Sequence, residues 1–145
     1  MHNLAIKEAK FNNVDNVEFI YGTAQSYKSE KNFNLIWLSG LLIYLNDKEC
    51  EQTINNCSKM LDSKGSLILR DSTGYPDHYE IQNEYSASLN SYYSACYRSV
   101  KEYRELFRKY GFKIIRDQDM FPEGSLLNKW SNTRLRLYEF KLARQ

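Results

Sequence analysis

The residues best suited to chemistry gather in the middle of the chain. His78, one of two histidines, closes the segment Gly74-Tyr75-Pro76-Asp77-His78. An imidazole titrates near neutrality and can act as a general base, and a neighbouring carboxylate such as Asp77 would raise its pKa. The alternative is a solvated loop histidine. Asp71 ends an apolar run just upstream; it is a second candidate base or substrate anchor, or else a cap on the next turn. Tyr75, Tyr79, Tyr85, Tyr92, Tyr93, Tyr97 and Tyr103 follow in a cluster. The chain's twelve tyrosines exceed what a core needs, since each hydroxyl wants a partner or water. Arg98, Asn128, Lys129, Trp130, Thr133 and Arg134 make a polar and aromatic group that could hold an acidic ligand, or a solvated loop.

Bulk properties remove several classes. A net charge of +2 is too small to argue for nucleic acid or an anionic membrane. No apolar run approaches the ~20 residues of a membrane span, and the N-terminal residues lack a signal-peptide core. Cys50, Cys57 and Cys96 are an odd number without a CxxC pair, which indicates neither a disulfide framework nor a metal site. A reduced, cytoplasmic protein is the default expectation. At 145 residues the chain is one domain's worth, long enough to bury roughly two-thirds of its unfolded surface.

The elements that must position these residues are legible by period. Leu4, Ala5, Glu8, Ala9 and Phe11 give a short helix, broken at Asn12-Asn13. Val17 to Tyr21 is rich in strand formers and stops at Gly22. Phe33 to Leu38 is a nearly continuous apolar run, suited to a strand covered on both faces. Asn46 with Glu49 forms a capping box, and Cys50, Ile54, Cys57 and Leu61 line one helical face. Ser66 to Asp71 is the next strand, so residues 33–71 read as a parallel strand–helix–strand unit. Residues 73–97 read as irregular, with a helix around Tyr79 to Tyr93. Ser99 and Glu102 form a second capping box, before a helix with Val100, Tyr103, Leu106, Phe107 and Tyr110 inward and Gly111 at its end. Phe112 to Asp117 and Arg134 to Leu142 are strands; the phase change between Leu137 and Tyr138 predicts a bulge or two-sided burial.

This order, with its motifs, resembles the class I S-adenosylmethionine-dependent methyltransferases. Val17-Glu18-Phe19-Ile20-Tyr21-Gly22-Thr23-Ala24 is similar to the family's third strand and the turn beside the adenine. Phe33-Asn34-Leu35-Ile36-Trp37-Leu38-Ser39-Gly40 is similar to its fourth, and Leu61-Asp62-Ser63-Lys64-Gly65 leading into Ser66–Asp71 to the turn and strand that follow. The resemblance implies an α/β, Rossmann-like sheet, mostly parallel with an antiparallel C-terminal strand, as a single domain over residues 1–145. The family's first strand, glycine loop and second strand have no counterpart. Gly22, Gly40, Gly65, Gly74, Gly111 and Gly124 are too dispersed for a G-x-G anywhere.

The resemblance also implies a cofactor and site. S-adenosyl-L-methionine would meet Thr23, Ala24 and Gln25 at its adenine edge and Leu38, Ser39 and Gly40 at the fourth strand's end. Thr23 stands where many members carry an acid. His78, Asp71 and Tyr44 are the candidate catalytic groups. Tyr75, Tyr97, Arg98, Asn128 and Arg134 would face a small-molecule acceptor, a sugar or an amine, under a tyrosine-lined lid. The leading expectation is the C-terminal part of a methyltransferase, binding cofactor weakly or not at all alone. The alternative is a non-catalytic subunit whose open sheet edge is covered by a second copy or a partner chain. A module for single-stranded nucleic acid would need basic charge interleaved with the aromatics, which the mixed signs do not supply.

Overall fold

The computed structural model describes residues 2–143. A short helix, α1 (His2–Phe11), precedes a long irregular stretch and strand β1 (Phe33–Ser39). A single 3-10 turn at Leu42–Tyr44 leads to α2 (Asp47–Met60), which returns the chain to β2 (Leu61–Gly74). The capping box forms as its residues dictate: the Asn46 side chain accepts from the Glu49 amide at 3.0 Å, and Glu49 accepts from the Asn46 amide at 3.1 Å. With two otherwise orphaned amides satisfied, α2 can direct Cys50, Ile54 and Cys57 into the core, where all three are buried.

Beyond β2 the chain forms a separate hairpin, β3 (Tyr79–Ser86) and β4 (Ser91–Tyr97). Then come α3 (Val100–Lys109), β5 (Phe112–Asp119) and β6 (Thr133–Leu142). The main sheet has the order β1-β2-β6-β5. β1 and β2 pair in parallel, while β6 lies antiparallel to both β2 and β5. Three strands therefore share one direction and the C-terminal strand opposes them, the expected α/β arrangement. Tyr138 and Phe140 of β6 face the helices, and Phe107 of α3 stacks on Phe140 with centroids 3.9 Å apart. The other core members are Leu67 and Leu69 of β2, Ile54 and Cys57 of α2, and Tyr103 of α3.

Four expectations are corrected. Val17 to Tyr21 is not a strand: among the described residues no strand pairs with it, and its side chains stay exposed. An isolated segment cannot satisfy its ladder groups, whatever its β propensity. The segment Tyr79 to Tyr93 is a hairpin, not a helix; polar residues between the tyrosines hid a period of two. Asn83 and Asn90 take the left-handed conformation that the hairpin's bulge and turn require. β1 is covered on one face only: Leu38 is buried, but Leu35 and Trp37 are 58% and 54% exposed. The register shift lies in β5, between Ile114 and Arg116, so the phase change in β6 reflects a central strand flanked on both sides.

Gly74 joins the two layers of this design. It sits where β2 ends, its amide donates to the Arg98 carbonyl at 3.0 Å, and a Cβ there would overlap the carbonyl oxygens of Asp77 and Tyr97. Both obstacles are backbone, which cannot swing aside as a side chain can. Gly74→Ala should therefore lower stability by about 1–3 kcal/mol through overpacking. It should also weaken the near-ultraviolet tyrosine signal of the hairpin. An unchanged denaturation midpoint would contradict this account of the junction.

Candidate functional site

Two clefts flank the parallel pair. The first, of about 760 Å³, runs along the unpaired side of β1, between α2 and the stretch from Glu18 to Lys28. Thr23 and Ala24, expected at an adenine edge, line it together with Leu38 from the end of β1. Gln25 does not: its side chain turns to Glu49 at 3.4 Å. Thr23 is committed locally, its hydroxyl donating to Ser26 and its carbonyl accepting from the Ser26 and Tyr27 amides. Ser39 accepts from Arg70, and Gly40, at a φ of 60°, turns the chain away from β1 with its amide on the Arg70 carbonyl. Sequence reasoning missed Asn56. This buried amide of α2 donates to the carbonyls of Gln25 and Tyr27, at 3.0 and 3.1 Å, and so pins the loop that forms the cleft wall. Its only signal was a polar residue on the helix's buried side.

The second cleft, of about 630 Å³, opens at the carboxyl end of β2, between the hairpin and residues 130–133. Tyr79, Tyr85, Tyr93, Tyr97, Trp130 and Asn132 line it, with Glu84 its carboxylate. Tyr79 and Tyr97 stack across the hairpin with centroids 5.8 Å apart. Burial, and after it the neighbouring Tyr93, raises the Tyr97 pKa, so this hydroxyl keeps its proton and offers a donor. Tyr75 lies at the rim, its amide bonded to the Asn132 carbonyl at 2.8 Å and its ring under the Arg134 guanidinium at 4.5 Å. Asn128 stands apart, closing a turn through the carbonyls of Phe121 and Pro122.

The remaining candidates are drawn into other contacts. His78 lines neither cleft. Its Nδ1 meets Glu102 at 2.9 Å and its Nε2 meets Glu80 at 3.2 Å, so these two residues partner it where Asp77 was expected to. Burial lowers its pKa, but the two carboxylates outweigh that and hold it above the ordinary value. Arg98 is buried and turned inward, donating to the carbonyls of Leu42 and Leu45 at 3.0 Å and pairing with Asp47 at 2.6 Å. Tyr44 is exposed and borders a smaller hollow of about 330 Å³ with Glu80 and Cys96. Asp71 is fully buried and accepts from the amides of Leu42 and Ser72 at 3.0 and 3.1 Å. It caps the turn at Leu42–Tyr44 that follows β1, not the turn after its own strand.

Comparison with known proteins supplies the context. No family model matches the chain. Over 93 residues, 63% of this chain, it is 30% identical to O-methyltransferase 12 of Dictyostelium discoideum, of which it spans 25%. Its structure is similar to the mitomycin 7-O-methyltransferase MmcR, with a TM-score of 0.68, 16% identity, and coverage of 98% of this chain and 39% of the other. It is also similar to the O-methyltransferase of a Brevibacillus brevis trans-AT PKS multienzyme in complex with S-adenosyl-L-homocysteine. There the TM-score is 0.70 and the identity 13%, over 98% of this chain and 55% of the other. A methyltransferase of Clostridium acetobutylicum gives the same TM-score at 9% identity, over 98% and 71%. At such identities the likeness is one of fold, and the chain spans well under two-thirds of the first three.

Asp71 offers a direct test of the burial argument. Desolvation raises its pKa from the ordinary 3.8 to about 6, against the lowering by the Ser72 and Leu42 amides and by Arg98. A carboxyl that holds its proton more tightly when folded contributes fully below 3.8, and that contribution is lost as pH rises through about 6. Between about pH 4 and pH 7, the unfolding free energy of the wild type relative to Asp71→Asn should fall by up to about 3 kcal/mol. A flat difference in paired denaturation curves would contradict it.

Proposed function

From a chain with the class I S-adenosylmethionine-dependent methyltransferase fold, we propose the acceptor-side portion of a methyltransferase domain. The cofactor is S-adenosyl-L-methionine and the methyl group passes to a small-molecule acceptor, a sugar or an amine. The observation that carries the reading is the position of the tyrosine-lined cavity. It opens at the carboxyl end of β2, and in open α/β sheets ligands collect at that end of the parallel strands. Tyrosine hydroxyls and flat rings suit an acceptor that presents both polar edges and a face. Methyl transfer is an in-line displacement, so holding the two reactants in line is most of what a protein must do. The described residues nearest an adenine, Thr23 and Ala24, would hold one end of the cofactor; strands pairing with the open side of β1 would hold the rest.

A second reading, a non-catalytic subunit, is favoured by a specific observation. Leu35 and Trp37 form an apolar strip on a strand with no neighbour on its outer side among the described residues. Such an edge invites a partner chain or a second copy.

Calorimetry with S-adenosyl-L-homocysteine separates the two. The methyltransferase reading expects weak binding to this chain, with Kd roughly 1 mM. It should be abolished by Thr23→Arg, which fills the cleft from an exposed position. Heat unchanged by Thr23→Arg would leave the subunit reading, and no heat at several-fold higher ligand would leave that reading or a portion that cannot bind cofactor alone.

A further inference from the structure

The groups around His78 do more than neutralise a histidine. The hairpin register sets Glu80 of β3 directly opposite Cys96 of β4, and His78 lies two residues before Glu80. Their ligating atoms lie within 4.8 Å of one another: His78 Nε2 is 3.2 Å from Glu80 Oε1 and 3.9 Å from Cys96 Sγ. In a tetrahedral zinc site, bond lengths near 2.0–2.3 Å place neighbouring donors about 3.4–3.6 Å apart. His78 Nε2 and Glu80 Oε1 are already near that spacing, and Cys96 Sγ has to move closer for the three atoms to share one ion.

The surrounding bonds leave those same atoms available. Glu102 accepts from the Ser99 amide and hydroxyl on Oε2, both at 2.7 Å, and meets His78 Nδ1 with Oε1. Each ring nitrogen faces a carboxylate, so an ion taken at Nε2 displaces the proton shared with Glu80 while Glu102 keeps the Nδ1–H, the usual partner of a metal-bound imidazole. Glu80 is similarly divided: Gln82 donates to its Oε2 at 2.9 Å, leaving Oε1 turned toward the histidine.

We propose that His78 Nε2, Cys96 Sγ and Glu80 Oε1 hold a divalent cation of the zinc class, with Glu102 as the residue that orients the imidazole. On binding, the Cys96 thiol and the His78 Nε2–H each give a proton to solvent, the thiolate and the freed imidazole nitrogen take the ion, and water completes the tetrahedron. The ion would clamp the hairpin to the N-terminus of α3, outside both clefts.

Cobalt(II) titration of the purified, metal-free protein tests this. The expected result is a one-to-one complex with a near-ultraviolet thiolate-to-cobalt charge-transfer band and the intense visible absorption of a tetrahedral ion. Cys96→Ser should abolish the charge-transfer band while keeping the native far-ultraviolet circular dichroism. Glu102→Gln should keep the band and weaken binding by about 10–100-fold. Zinc should raise the wild-type melting temperature and leave that of His78→Gln unmoved. A spectrum no different from aqueous cobalt, or a charge-transfer band that survives Cys96→Ser, would overturn the assignment. Neither depends on whether the chain binds S-adenosyl-L-homocysteine.

Discussion

The architecture hangs on one buried cation. Arg98 leaves the end of β4 and reaches under the turn that follows β1, satisfying the carbonyls of Leu42 and Leu45 while pairing with Asp47 at the start of α2. Its own carbonyl accepts from Gly74. One residue thus fastens the hairpin, the β1–α2 connection and the end of β2. Asp71 completes the junction from the other side by accepting the Leu42 amide. The guanidinium is buried while Asp47 stays largely exposed, so the cost of desolvation falls on Arg98 and is offset by the two carbonyls; a charge held this way specifies geometry more than it adds stability. Here the geometry specified is a wall of the smaller hollow, which Ile43, Leu45, Asp47 and Arg98 line.

The same junction explains which parts of the molecule could be read from sequence. Helices announced themselves through local chemistry: Asn46 with Glu49 and Ser99 with Glu102 are complete signals within four residues, and both capping boxes form. The parallel unit was legible because buried strands and an amphipathic helix have distinct periods. Failures arose where an element depends on a distant partner. Val17 to Tyr21 has strand composition but no strand beside it, and the Tyr79–Tyr97 hairpin is set by cross-strand pairing that no window of adjacent residues displays.

The site was legible to a lesser degree, for a related reason. Thr23, Ala24 and Leu38 meet in one cleft because the order of elements brings them there, and order is a property of sequence. Tyr97 reaches the second cleft by the same logic. Arg98 and His78 looked like ligand-binding groups because charge and titratability are visible in a sequence, whereas the partners that occupy them are not. Asp47, Glu80 and Glu102 lie on three different elements. Asn56, whose amide holds the cleft wall, is inconspicuous among the other polar residues of α2.

The placement of β6 carries a consequence for how the molecule is made. It is the last described strand, yet it enters the sheet between β2 and β5, pairing Leu67 with Phe140 across about half of the chain's length. During synthesis the β1–α2–β2 unit can form early, because its contacts are local, while β5 has no strand to join. Leu67, Leu69 and Phe107 stay without their Tyr138 and Phe140 cover until the final stretch emerges. The core is thus closed from its middle by a strand that follows the other described strands in the chain, and removing Thr133–Leu142 would divide the sheet rather than trim its edge.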